Sequence, residues 1–460
     1  MTKIVFIGAG STVFVRNILG DCMQLPSLQD AEVALYDIDG VRLKESLEIL
    51  ENLNGSINGG RMRFVCFCGE ASRREALSGA DFVINAANIG GYEPATVVDF
   101  EVPKKYGLRQ TIADTMGIGG IFRAQRSIPF LLDVAREMEA VCPEAWLLNY
   151  ANPMAMLTGA VLKATSVRAI GLCHSVQVCV ASLLNTLGMY SFRVDFDKKH
   201  KLPMDYGWKE KVAGINHMAW LLEVTKDGKD MYPELHAKAA EYLRENVGHV
   251  QPRSDGEDAN LVRLQLMQDF GYYVTESSVH NAEYTPFWIK AAYPDVVSDY
   301  GITLDEYPKR CVRQREQWAQ EYKAIREKSL THVHSIEYAS EIMEAMVSCR
   351  SFSFGGNLPN NGYIENLPSE AIVEVPCIAD GDGIRGTVVG RLPMQCAALN
   401  MTNINVQLLS IEAALTRSRQ SLYQAAMLDP HTAGELPIDR IKALCDDMIA
   451  AHGDLLPNYS

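Results

Sequence analysis

The chain has 460 residues, 47% of them hydrophobic and 22% charged, and a formal net charge of −14. This length and composition suit two globular domains, and the acidic balance excludes a general nucleic-acid binder, which needs clustered Lys and Arg against phosphates. Eleven cysteines in an odd, irregular set without a CxxC pair exclude a zinc ribbon and a secreted disulfide scaffold, so reduced thiols in the cytoplasm are expected.

The first apolar run ends in Gly-Ala-Gly and continues into a helical period, which reads as a strand and turn in place of a signal peptide. Strands are expected at Lys3–Gly8, Glu32–Tyr36, Arg63–Cys66, Asp81–Ala86, Ala145–Asn149 and Val167–Gly171. Helices are expected between and after them at Thr12–Cys22, Val41–Leu53, Ile121–Val141, Met154–Ala164 and Val176–Leu187. The alternation predicts an α/β fold: a Rossmann-like, doubly wound parallel sheet that binds ligands beyond the carboxyl ends of its strands.

Near residue 190 the pattern changes. Lys211–Ile215 and Ala219–Thr225 read as antiparallel strands, Arg310–Lys328 and Ile336–Val347 as helices, Gly355–Pro368 as a loop, and Met394–Arg417 and Asp439–His452 as the last helices. The expected organisation is a nucleotide-binding domain over 1–190 and an α+β domain over 191–460. The uncharged stretches Ala145–Leu162 and Leu392–Ile411 hold too many Asn, Gln and Pro residues for membrane spans.

Gly8-Ala9-Gly10-Ser11-Thr12 follows the first strand and opens a helix. The first glycine permits a tight turn, the second lets the backbone approach a pyrophosphate, and the helix N-terminus favours the anion. Val13 replaces the third glycine of that fingerprint, and an ordinary βα turn would look the same. Asp37, at the end of the second strand, can accept hydrogen bonds from a ribose diol and would repel a 2′-phosphate, which favours NAD over NADP. Asn85, ending the fourth strand, opens a loop of small residues that would lie against the nicotinamide. This half resembles the lactate/malate dehydrogenase superfamily, including the pair Asn152-Pro153 after the fifth strand, so a 2-hydroxy acid dehydrogenase is one reading.

Cys173-His174-Ser175-Val176 follows the sixth strand and starts a helix, and Gly214-Ile215-Asn216-His217 lies between two strand-like runs. A thiolate and an imidazole suit a transition metal, and a helix N-terminus lowers a thiol pKa. Packing and capping would explain the same residues, and two protein ligands alone make an open site that substrate and water must complete.

The motif set resembles glycoside hydrolase family 4, in its α-galactosidase (melibiase) version. The resemblance is carried by Cys173-His174-Ser175-Val176, Gly214-Ile215-Asn216-His217, Ile89-Gly90-Gly91-Tyr92-Glu93-Pro94, Thr111-Ile112-Ala113-Asp114-Thr115, Asn152-Pro153-Met154 and Thr275-Glu276-Ser277-Ser278. Glu283-Tyr284-Thr285-Pro286 and Asp305-Glu306-Tyr307-Pro308-Lys309-Arg310 extend it to essentially the whole chain. It implies hydrolysis of α-galactosides with NAD and Mn²⁺, by oxidation at sugar C3, removal of the C2 proton, loss of the leaving group, addition of water and return of the hydride. This route differs from two-carboxylate hydrolysis.

Carried over residue by residue, Cys173 and His217 are the implied metal ligands, His174 the acid for the leaving oxygen and Tyr284 the C2 base. Asn152, His280 and Arg310 are implied at the sugar, with His280, Glu276 and a metal-bound hydroxide as alternative bases. A small glycoside is the expected partner, and a homodimer or homotetramer the expected assembly. An α-galacturonidase or α-glucuronidase remains an alternative within the family.

Overall fold

The structure is a computed structural model, which describes residues 1–190, 207–250, 260–326 and 329–460. Its sheet begins with β1 (Lys3–Ile7), β2 (Glu32–Asp37), β3 (Arg63–Cys68), β4 (Phe82–Asn85), β5 (Trp146–Asn149) and β6 (Arg168–Gly171). These lie in the order β3-β2-β1-β4-β5-β6, every pairing parallel. That is the order of a doubly wound dinucleotide-binding sheet, whose switch point falls between β1 and β4. Ile4, Val5, Phe6 and Ile7 are all fully buried, as expected for a strand covered by helices on both faces.

The second half extends the same sheet. Its strands are β7 (Trp208–Ile215), β8 (Met218–Lys226), β9 (Lys229–Asp230), β10 (Tyr273–Val274), β11 (Phe352–Pro359), β12 (Ile372–Asp380) and β13 (Gly383–Gly386). Antiparallel pairing runs from β6 through β11, β12, β7 and β8 to β10. β7, β8 and the helices Ser175–Thr186, Tyr232–Asn246 and Leu261–Phe270 enclose a smaller core around Leu183, Trp208, Leu221, Leu235 and Leu264. No helix among the described residues is long and apolar enough to cross a membrane.

The expected loop Gly355–Pro368 is a strand over its first part, because β11 spans Phe352–Pro359. Its glycines serve close packing: a Cβ on Gly356 would lie 2.8 Å from the Ile170 side chain, and one on Gly355 would lie 3.0 Å from Val176. The helix expected at Ile336–Val347 begins at Ala339, since Asp21 binds both the Ser335 amide and hydroxyl and holds the preceding residues out of the helix. The helix expected over Arg310–Lys328 begins earlier, as Glu306–Arg326, and the last two residues of that expectation lie outside the described residues. So does 191–206, which adjoins the expected domain boundary.

Candidate active site

The cofactor end is assembled at the switch point. Gly8 has φ 86, and a Cβ there would sit 2.8 Å from the backbone of Ala86 and Ala87, so the loops after β1 and β4 touch through this glycine. The Gly10 amide donates to Asp37 Oδ2 at 2.6 Å, and the Asp39 amide to Oδ1 at 2.9 Å. A carboxylate has about four acceptor sites, so Asp37 retains capacity for a ribose diol. Ser46 Oγ and Arg42 Nε fix the carbonyls of Ala9 and Gly10. Ser11 precedes the helix Thr12–Gln24, and its amide donates to Gly8 O. Val13, Ile38 and Val41 stay exposed on the segments around Asp37, apolar surface suited to an adenine ring. Asn85 is buried, donates to Asn149 and accepts from the Ala87 amide.

The chemical end lies along the same edge. Cys173 follows β6. His217 tips the hairpin in which Ile215 pairs with Met218, and Glu276 follows β10 just before the short helix Ser278–Tyr284. One ligand atom from each of Cys173, His217 and Glu276 lies within 4.8 Å of the others, separations that one ion with bonds of about 2.0–2.5 Å permits. His217 and Glu276 have φ 63 and φ 65, and Ala113 in the neighbouring loop has φ 51. Such left-handed backbone is costly without glycine and concentrates at functional sites.

His217 Nε2 is 3.6 Å from Glu276 Oε2, whereas Nδ1 meets the Tyr284 hydroxyl at 3.0 Å and Thr115 Oγ1 at 3.2 Å. Burial lowers the His217 pKa to about 4, which keeps the imidazole neutral, the form that ligates metals. Burial disfavours the Glu276 carboxylate, but the imidazoles of His280, His217 and His174 with the Arg263 guanidinium outweigh it and hold the group at about 2. The Cys173 thiol is pushed well above its ordinary range by burial and by the charges of Glu276 and Glu374. A cation in the cluster would favour the thiolate. A thiolate, an imidazole and a carboxylate form a donor set for a transition metal.

His280 flanks the cluster, its Nδ1 3.4 Å from Glu276 Oε1 and its Nε2 3.7 Å from Asp114 Oδ1. Asp114 Oδ2 accepts from Asn152 Nδ2 at 3.3 Å. Asn152 Oδ1 and both amide atoms of Asn216 are buried without a hydrogen-bond partner among the described residues, an unusual cost unless a ligand satisfies them. Glu283 accepts from the amides of Thr111, Ile112 and Ala113 and so fixes the loop that presents Asp114 and Thr115. His174 is half-exposed, 3.6 Å from Glu337. Burial disfavours its cation, and Glu337 more than compensates, raising it to about 9.

The structure therefore brings together Cys173, His217, His174, Asn152, His280 and Tyr284. The Arg310 guanidinium is partly exposed and lies 3.7 Å from Glu306 on its own helix. Glu276, expected only as an alternative base, completes the ligand cluster. Asp114, Glu283 and Glu337 were not singled out. Only the motif around Asp114 and the residue beside Tyr284 hinted at the first two.

The sequence signature of family 4 glycosyl hydrolases matches residues 3–189, and that of the family's C-terminal domain matches 212–432. The chain belongs to glycosyl hydrolase family 4. It is 54% identical to an α-galactosidase of Bacillus subtilis across 100% of both chains. An α-galactosidase of Rhizobium meliloti is 31% identical over 100% of this chain and 90% of that one. An α-galacturonidase of Bacillus subtilis is 28% identical over 97% and 96% of the respective chains. A solved 6-phospho-α-glucosidase from gut microorganisms, in complex with NAD and Mn²⁺, shares the fold with a TM-score of 0.79 at 19% identity, covering 100% of both chains. Membership in a glycosyl hydrolase family sets aside the hydroxy acid dehydrogenase alternative.

Proposed function

We propose that this family 4 enzyme hydrolyses α-galactosides of the melibiose type with NAD and a divalent cation such as Mn²⁺. The observation that carries the reading is the cluster of Cys173, His217 and Glu276 on the sheet edge that also holds the Gly8 loop. β5 alone separates β4 from β6, so a nicotinamide above Asn85 would lie about 10 Å from the Cys173 strand end, two strand spacings. The full-length similarity to two α-galactosidases supports the substrate class.

When bound, NAD would accept and return a hydride at sugar C3 while the cation polarises the oxygens on C2 and C3. Gly8, Gly10, Ser11 and Thr12 receive the pyrophosphate, Asp37 the adenosine ribose, and Asn85 the nicotinamide side. Cys173, His217 and Glu276 hold the cation, and the unpartnered amide atoms of Asn152 and Asn216 bind sugar hydroxyls. Tyr284, expected as the C2 base, meets the imidazole edge opposite Glu276, so it orients His217. Proton removal at C2 then passes to His280, set between Glu276 and Asp114. His174, half-exposed and backed by Glu337, protonates the leaving oxygen.

The two domains are assigned to 1–190, for the dinucleotide, and 191–460, for sugar, metal and assembly as a homodimer or homotetramer. Eleven free cysteines, Cys66, Cys68 and Cys349 among them exposed, support a reducing cytoplasm. The test is hydrolysis of p-nitrophenyl α-galactoside with NAD, Mn²⁺ and reductant each withheld in turn, beside the corresponding galacturonide. Loss of turnover in each omission supports the reading. Cleavage of the uronide alone would move the substrate to the class of the α-galacturonidase relatives.

A further inference from the structure

Residues 335–338, just ahead of the helix Ala339–Ser348, form a strap that reaches from the cofactor helix to the metal cluster. At one end Ser335 Oγ and its amide bind Asp21 at 2.5 and 2.8 Å. At the other, the Tyr338 hydroxyl accepts from the Cys173 amide at 2.9 Å and lies 3.0 Å from the carbonyls of both Cys173 and Gly355. Among the described residues no strand pairing reaches Cys173, because the register of β6 with both β5 and β11 ends at Gly171. The Tyr338 ring is buried, packed against Tyr150 and Phe354.

We propose that Tyr338 is a positioning residue for Cys173, fixing its peptide so that Sγ faces His217 and Glu276. The inference rests on the metal-site reading above. A ligand atom must sit within about 0.2 Å of its bonding distance, and Sγ hangs by one rotatable bond from this backbone. A single hydroxyl that receives the Cys173 N–H and faces its C=O restrains the peptide on both sides, as outer partners do for other metal ligands.

The experiment is Mn²⁺ titration of the NAD-loaded protein, read by electron paramagnetic resonance of the free ion. Sulfur-to-metal charge-transfer absorbance of the Co²⁺ form is recorded in parallel. Tyr338→Phe keeps the packed ring and is expected to weaken Mn²⁺ binding about 10–100-fold and to shift the Co²⁺ band. NAD affinity should hold, and turnover should recover at saturating Mn²⁺. Replacing Tyr338 by 3,5-difluorotyrosine keeps the hydroxyl but weakens it as an acceptor; a smaller loss is expected, and this form serves if the Phe variant does not fold. Tyr150→Phe removes the acceptor of the amide of Ala339, the first helical residue after the strap, and is expected to leave Mn²⁺ affinity at the wild-type value. Wild-type Mn²⁺ affinity in both Tyr338 forms, or an equal loss in Tyr150→Phe, overturns the proposal. If Cys173→Ser itself binds Mn²⁺ normally, the metal-site reading fails; if only that variant loses the ion, the role of Tyr338 alone fails.

Discussion

Tyr284→Phe separates a base from an orienting group. The hydroxyl is 3.0 Å from His217 Nδ1, and Thr115 Oγ1 contacts the same nitrogen at 3.2 Å. Losing the phenol therefore leaves the imidazole one of its two partners. An outer partner of a ligating histidine is worth about 10–100-fold in metal affinity, and with Thr115 retained the lower end applies, about tenfold. A general base is worth about 10²–10⁴ in turnover. Burial also raises the Tyr284 hydroxyl well above the ordinary tyrosine range, which opposes a phenolate. The assay is steady-state hydrolysis of an α-galactoside across Mn²⁺ concentrations, with exchange of a C2 deuterium followed in the same samples. The expected result is a tenfold higher Mn²⁺ requirement, near-normal kcat at saturation and unchanged exchange. A kcat lower by 10³ or more at saturating Mn²⁺, with exchange abolished, would return the base role to Tyr284.

Gly8→Ala places a Cβ 2.8 Å from the backbone after β4 at φ 86; the left-handed cost alone is about 1–2 kcal/mol, so NAD affinity measured by fluorescence should fall about tenfold or more while Mn²⁺ still binds. Arg126 makes a bidentate pair with Asp99, both buried, at 3.0 and 2.6 Å. Arg126→Met leaves that carboxylate His452 Nε2, 3.0 Å from Oδ1, as its remaining ion-pair partner among the described residues, so urea unfolding should show a loss of about 3 kcal/mol, the lower end for a broken buried pair; a change under 1 kcal/mol would contradict the pairing. His334 Nε2 is 2.5 Å from Glu341 Oε1, and this hydrogen bond raises its pKa to about 9. The raised value means a stabilisation complete below the ordinary histidine range and lost as pH climbs through 9. Its ceiling is about 3 kcal/mol. His334→Gln should therefore be less stable than wild type at pH ~6, with the difference closing by pH ~10; an equal gap at both values refutes the linkage.

The parallel half was legible because its inner strands β1, β2 and β4 are buried on both faces and its turns carry Gly8 and Asp37, local signals that survive without tertiary information. The second half was less so. Gly355 and Gly356 look like loop residues until their neighbours, Val176 and Ile170, show that a side chain would not fit. At the site, Cys173 and His217 were visible through local motifs. Glu276 was not visible as their companion, since only the folding of β10 against β8 brings it there. Tyr284 was noticed for its phenol, yet which edge of His217 it meets is a property of packing. Arg310, a charged residue in another of the shared motifs, has Glu306 on its own helix as an ion-pair partner, a contact that the i, i+4 spacing alone makes available.

The central claim is that one cation held by Cys173, His217 and Glu276 makes the site competent. Isothermal titration of Mn²⁺ into the NAD-loaded wild type, Cys173→Ser and Glu276→Gln, with α-galactoside turnover recorded on the same samples, tests it most directly. The account predicts one ion per chain in the wild type and parallel loss of binding and turnover in both variants. Full-strength binding in both, with turnover intact, would contradict it.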